Sequence, residues 1–533
     1  MDSPKALKNH KYTNKMLVHR KKHSFGITIA LLLVCWLMAA CSAGNGSSRK
    51  SIKSKKDLQG ATIGVQLGTT SDGLATDLEK KGDGTKVERF NKGADAIQAL
   101  RQGKIDCVVT DEAPAKAFLK VNPSLQILPE TFDESGFAIC VAKDNEKLQK
   151  NLNDAIHWLQ KEGTIDSIVH RHLVQGMAVA YTPKTTDIKR LNQKGLAMIG
   201  LKNSLRFATN ATFEPFEYYQ SGKIVGIDVD VAHAIGDFLG VDVEILDMEF
   251  DAIITSVQTG KADAGIAGIT VTPEREKNIS FTNTYTNVRQ VIILNTGAEV
   301  ADSKQSIVDK FKSCFIDDDR YQYLLTGLGN TLLITFFAII LSVILGTLIA
   351  IVRATHERQG TLKWLDMLCQ VYLTIIRGTP TMVQLLIIYY VVFASADVNK
   401  VFVAVVAFGL NSAAYIAEVI RSGIMSVDKG QMEAGRSLGL SYAKTMRLII
   451  LPQAFKNVLP AMGNELITLL KETSISGYIG LVDLTKGSDI IRSITYEAML
   501  PLGMVACIYL VIVFLLYTGV RKLEKHLRRG ERR

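Results

Sequence analysis

Residues 331–352 read TLLITFFAIILSVILGTLIAIV, a run without Asp, Glu, Lys or Arg. At 1.5 Å per residue, a helix of that length reaches about 33 Å, enough for a hydrocarbon core roughly 30 Å thick. Outward from this run, four more apolar runs follow at 367–394, 401–420, 459–481 and 498–517, the first of them interrupted by Arg377-Gly378-Thr379-Pro380. The expectation is five transmembrane helices. Basic residues gather after the first span (Arg353, Arg358, Lys363), between the third and fourth (429–456) and in the tail 521–533. With five spans these places share one side, and the preference of cytoplasmic loops for Lys and Arg makes that side the cytoplasm. Residues ahead of the first span then lie outside the cell, on a multi-pass protein of the cell membrane.

The rest of the composition agrees with that placement. In 533 residues, 47% hydrophobic and 21% charged, neither a disordered polymer nor a wholly soluble enzyme fits. The surplus of 62 Lys and Arg over 52 Asp and Glu is accounted for by topology, so no nucleic-acid partner is expected. Seven cysteines (Cys35, Cys41, Cys107, Cys140, Cys314, Cys369, Cys507) lie far apart with no C-x-x-C, which argues against a zinc ribbon or a redox motif. Motifs for nucleotide hydrolysis, zinc proteolysis and serine hydrolysis are also lacking. No catalytic residue, metal or cofactor is expected, and the energy source must be a separate chain.

The N-terminus reads as a secretory signal: Lys, Arg and His through residue 26, an apolar run at 27–40, then Cys41 and a polar linker at 42–56. Leu37-Met38-Ala39-Ala40-Cys41 resembles a bacterial lipobox, which would lipidate Cys41, although Met38 departs from the usual residue. The alternative is an uncleaved signal anchor. Beyond it, 57–173 alternates short β-rich runs with helical stretches, and 202–295 does so again, with a polar stretch between them. Both read as α/β layers.

In the loop between the third and fourth spans stand Glu433-Ala434-Gly435, Gly439, Ile449, Leu451 and Pro452. This spacing resembles the EAA loop of ABC importer permeases, with Gly435 in place of the third alanine. Arg377-Gly378-Thr379-Pro380, Ala414-Tyr415-Ile416-Ala417-Glu418 and Leu470-Lys471-Glu472-Thr473-Ser474 are similar to the polar amino acid branch of that family. The resemblance implies a membrane domain at 323–527, a separate ATPase docked at the loop, and a homodimer. Arg377, Glu418 and Lys471 are costly inside a span and so are functional candidates, unless they snorkel from span ends.

Three segments of the second block, 207–216 with Phe213, 226–230, and 267–275 ending in Arg275, resemble the first lobe of the two-lobed solute-binding proteins for polar amino acids. The first block, with 63–71 and 108–111, resembles the second lobe, and 148–173 resembles the helices that return to the first lobe. The halves are therefore in reversed order. The expected fold is an α/β two-lobed, Venus-flytrap clamp of type II, circularly permuted and fused to an all-α five-helix permease. Its parts run 1–41 signal, 42–56 linker, 57–173 lobe 2 with the returning helices, 174–196 linker, 197–298 lobe 1, 299–322 tether and 323–527 permease. Two degenerate tandem clamps, or lobes paired between two chains, are the alternatives.

By this resemblance Arg275 grips the ligand carboxylate with help from Thr70, while Asp111 and Thr270 take the ammonium. Burying either charge unpaired would cost several kcal/mol. Phe213 and Phe250 form aromatic walls. Asn210, Gln66 and Thr110 face the ligand side chain, and Gly268 completes the site. Asn210, where some relatives carry Asp, favours a neutral polar ligand such as glutamine over a cationic one. The rival expectation is an amino acid sensor built on the same clamp.

Overall fold

A computed structural model of the chain describes residues 50–173, 181–183, 190–296, 306–394 and 398–528. The signal with Cys41, most of the first polar stretch and part of the tether fall outside them.

Among the described residues, two five-stranded sheets and a small three-stranded one make the α/β part. The first runs Lys86–Phe90, Thr62–Gln66, Cys107–Asp111, Thr286–Asn295, Leu125–Phe137. Its first three strands are parallel, and Thr286–Asn295 lies antiparallel to both of its neighbours. Helices Thr70–Glu79 and Gly93–Arg101 cover it, so its inner strands are apolar on both faces, as at Ile63, Val65, Val108, Val109, Ile292 and Ile293. The second sheet runs Val243–Asp247, Leu205–Thr209, Ala264–Gly265, Cys140–Val141, Ser280–Phe281.

Each sequence block lends a strand to the other block's sheet. Thr286–Asn295, read within 197–298, is built into the sheet of 57–137, and Cys140–Val141 joins the sheet of the later block. The reason is the hinge: Leu125–Phe137 and Thr286–Asn295 pair antiparallel as a ribbon that crosses between the two bodies. Helices Glu146–Lys161 and Thr164–Leu173 pack Leu148, Leu152, Ile156 and Ile165 into one core with Phe207, Ile227 and Ile235. Two strand ends also meet: Leu294 and Ile63 are both register partners of Cys107, one on each side. The described end of the polar stretch 174–196 is helical, Gln193–Met198, capped where the Asn192 side chain accepts from the Gly195 N–H.

Among the described residues, three helices are long and apolar enough to span a membrane: Tyr321–Gln359, Lys400–Met425 and Met499–His526. A fourth span is obtained by joining Lys363–Gly378 to Thr381–Val392 across a 109° bend. The bend falls at the Arg377–Pro380 interruption because Pro380 has no N–H and pushes Thr379 into extended backbone. Gln384 donates to the carbonyls of Ile376 (2.6 Å) and Thr379 (3.0 Å), satisfying groups that the break frees. The expected span 459–481 is instead helix Leu451–Glu472 followed by the turn Thr473–Ile479. With Lys456, Glu465, Lys471 and Glu472 in it, this helix is less apolar than those three.

Candidate functional site between the two lobes

The strands of both sheets end at one cleft. About 880 Å³ of space is lined by Gly68, Thr69 and Thr70 from the earlier body and by Thr270 and Arg275 from the later one. Thr70 opens helix Thr70–Glu79, whose N-cap Thr69 accepts from the Asp72 N–H. Backbone donors at such an end suit an anion. Arg275 sits in the single helical turn Pro273–Glu276, capped by Thr272.

The Arg275 guanidinium joins the two bodies. It donates to the Thr270 carbonyl at 2.6 Å and to the Gly68 carbonyl at 2.8 Å, while stacking 5.6 Å from the centre of the Phe250 ring. Burial lowers its pKa from the ordinary value. A second bridge runs from Gln66 Nε2 to Asn210 Oδ1 at 3.3 Å. The lobes are therefore closed on each other. Asn210 is buried and its other polar contacts are structural, with Nδ2 donating to Met248 O and Oδ1 accepting from the Thr212 hydroxyl.

Gly268 has φ of +55°, and a Cβ there would meet Phe213 at 3.0 Å and Phe137 at 3.1 Å. Only glycine lets the Phe213 wall approach this backbone. Thr270 is buried, its hydroxyl 3.4 Å from that of Ser135, and it bridges the hinge residue Phe137. Thr110 and Asp111 end the strand Cys107–Asp111, opposite Val291 and Gln290 of the hinge. The Asp111 Oδ1 is inaccessible and has no hydrogen-bond partner among the described residues. Burial raises its pKa to about 7. The structure thus gathers Gly68, Thr70, Phe250, Thr270 and Arg275 at the cleft, whereas Thr110 and Asp111 pair with the hinge strand and do not line that space.

Sequence reading missed Glu217. It is fully buried with both carboxylate oxygens unpartnered among the described residues, and burial followed by the neighbouring Asp228 pushes its pKa well up. Asp228 accepts from the Gly268 N–H and the Tyr285 hydroxyl, each at 2.8 Å. The pair underpins the Gly268 turn from behind. Asp228 stands at the start of a helix, where acidic residues are common, and nothing in the sequence placed Glu217 beside it.

The loop at 429–452 is a helix, a turn and a second helix. Glu433, Ala434 and Gly435 lie in Lys429–Ser437, Gly439 turns the chain at φ +81°, Ile449 lies in the π-helical turn Met446–Ile450, and Leu451 and Pro452 open the next helix. Leu438 and Leu448 are 80% and 62% exposed there. Glu418 is paired with Arg353 and Arg421 at 2.7 and 2.6 Å, and Arg377 lies over the Tyr415 ring.

Comparison with known proteins adds two lines. Residues 205–489, more than half of the chain, match the model of bacterial extracellular solute-binding proteins, family 3. The chain is 38% identical over 211 residues to the arginine transport system permease protein ArtQ of Bacillus subtilis, covering 39% of this chain and 94% of that one. It is also 38% identical over 207 residues to a putative glutamine transport system permease protein GlnP of Rickettsia bellii, covering 38% and 93%. A solved amino acid ABC transporter with histidines is similar at 39% identity, covering 40% of this chain and 98% of that one with a TM-score of 0.37. The chain belongs to the bacterial extracellular solute-binding proteins, family 3, and carries the permease of a polar amino acid ABC transporter in the same polypeptide.

Proposed function

We propose that this chain captures a neutral polar amino acid, glutamine-like, in a clamp whose halves stand in circularly permuted order, and hands it to its own five-span permease. A homodimer would work with separate ATPase subunits bound at Glu433–Pro452, where the exposed Leu438 and Leu448 offer an apolar seat. The observation that carries the reading is the pairing of unlike groups on opposite bodies: Arg275 reaches across the closed cleft to Gly68, and a buried Asp111 oxygen waits without a donor at the hinge side. A zwitterion has the complementary ends, and only a closed clamp presents both.

The permuted order is supported by the register at Cys107. A chain leaving the hinge strand at Leu294 has to cross only two strand spacings, about 10 Å, to enter at Ile63. That is the join a conventional order would make, and surface breaks of this kind are tolerated when chain ends lie close.

The test is calorimetry of the full chain in lipid nanodiscs against the common amino acids. One or a few polar amino acids should bind, and Asp111→Asn and Arg275→Ala should each abolish the heat. A folded chain that binds none of them overturns the reading.

A further inference from the structure

Just ahead of the first span, residues 307–316 read IVDKFKSCFI. Ile307, Val308, Phe311, Cys314 and Phe315 stand at positions i, i+1, i+4, i+7 and i+8, the spacing of one apolar helix face, with Asp309, Lys310, Lys312 and Ser313 between them. The structure makes the stretch helical. Ile307–Phe311 is an α-helix whose N-cap Ser306 accepts from the Val308 N–H, and Lys312–Ile316 continues it as a π-helical turn.

The two halves of that face have different surroundings. Cys314 and Phe315 are buried in one cluster with Leu324 of the first span, Leu484, Ile491, and Val505 of the last span. Ile307 and Val308 are 77% and 71% exposed, and Phe311, whose ring lies 4.9 Å from that of Phe315, is exposed as well. One apolar face is therefore half covered by protein and half open.

The spans set its height. Lys310 Nζ is 3.0 Å from Glu497, two residues before Met499 opens the last span. Arg320, beside the Tyr321 that opens the first, donates to the Ser313 carbonyl. The open half is thus held where both spans leave the hydrocarbon, on the clamp's side. Near the same ends, Leu325 of the first span and Met499 and Leu502 of the last also expose their side chains, so the open half-face continues the lipid-facing surface of the spans.

We propose that residues 307–316 form an interfacial anchor in the head-group layer on the clamp's side of the membrane, with Ile307, Val308 and Phe311 among the upper acyl chains and Asp309 and Lys312 turned to water. The partner is the bilayer itself. Lys310, Lys312 and Arg320 stand against Asp309, Asp317, Asp318 and Asp319 in this stretch, so the attraction comes from apolar burial and does not need anionic lipid. The anchor also limits reach. Asn295 ends the hinge strand twelve residues before Ile307, and a chain pinned there carries that strand no farther than about 40 Å from the membrane surface, about half the reach of a chain first held at Tyr321.

Tryptophan fluorescence of the full chain in phosphatidylcholine nanodiscs tests this. Ile307→Trp and Val308→Trp, both at exposed positions, are compared with Lys150→Trp on an exposed face of the clamp helix Glu146–Lys161, and the wild-type emission is subtracted in each lipid. Lipids brominated near the head-group end of the acyl chain should quench the added emission of the first two variants at least about twofold more than lipids brominated near the chain's far end, and neither should quench Lys150→Trp. As a second readout, Ile307→Asp combined with Val308→Asp should speed hydrogen exchange of residues 307–311 several-fold and leave that of Lys400–Met425 unchanged. Red-shifted, unquenched emission places the segment in water. Blue-shifted, unquenched emission places it against protein, a second copy of the chain included, and stronger quenching from the far end of the acyl chain places it inside the hydrocarbon. Each of these overturns the anchor, as does hydrogen exchange that the double substitution leaves unchanged.

Discussion

At the scale of single residues, the groups in and behind the cleft had unequal sequence signals. Arg275 was legible because it ends a recognisable run, and the structure puts it across the cleft onto Gly68. Asn210 was legible as a position, but its amide is already committed to Met248, Thr212 and Gln66, an outcome that only the folded neighbourhood decides. Glu217 was not legible, because its meaning lies in the burial of both oxygens beside Asp228. Asp111 yields a pH prediction. Desolvation raises its folded pKa to about 7 from an ordinary 3.8, with Glu217 the acid whose own shift registers it. An ammonium needs the carboxylate form, so amino acid affinity should fall as pH drops through 7, approaching tenfold per unit at the acid end. The stability sign is opposite. The folded state binds more protons between pH 3.8 and 7, so Asp111 contributes stability that is full below 3.8 and is lost as pH rises through 7. Calorimetry of the wild-type chain from pH 5 to 8 should show the affinity slope, and a flat profile would remove the Asp111 carboxylate from ammonium binding. Arg275→Lys should weaken binding by about 2 kcal/mol or more, since one ammonium cannot reproduce the planar fork.

At the scale of elements, long apolar runs and the Arg377–Pro380 interruption were plain in the sequence because lipid thickness and proline chemistry act locally. The run 459–481 was not, since the helix there is set by its packing and begins earlier, at Leu451. The loop at 429–452 supplies a test of local fit. Gly435 departs from the alanine that the loop's pattern would place there, and a Cβ on it would come within 2.4 Å of the Thr445 methyl. Thr445 is fully buried and its hydroxyl donates to the Ser441 carbonyl, so it cannot swing away. Gly435→Ala should therefore destabilise the loop by about 1–3 kcal/mol, the usual cost of overpacking. Gly329→Ala, where a Cβ meets nothing within 4 Å, is the control and should be neutral or slightly stabilising. Hydrogen exchange of Lys429–Ser437 in the detergent-solubilised chain reads the difference, and equal protection in the two variants would show that Thr445 yields.

At the scale of the whole molecule, the two α/β blocks were legible from their alternating runs, whereas the strands they exchange and the way they meet the membrane part were not. Arg492 and Asp95 are 397 positions apart, and no local pattern announces such a pair. The order of the halves is itself testable. If the two blocks are one clamp cut at a surface join, a chain fragment with 197–296 placed ahead of 57–173 must fold as the native fragment 50–296 does. Leu294 and Ile63 flank the same residue, Cys107, so a linker of three or four extended residues, each about 3.3 Å long, crosses the gap. Loop closure of that length adds little cost, and the cleft residues keep their strands. The reordered fragment should bind the same amino acid within about threefold of the native one by calorimetry, a difference well under 1 kcal/mol. Two degenerate tandem clamps, or lobes that pair only between chains, give a different result: the reordered fragment would fail to bind, or would bind only as a dimer in which the halves are exchanged.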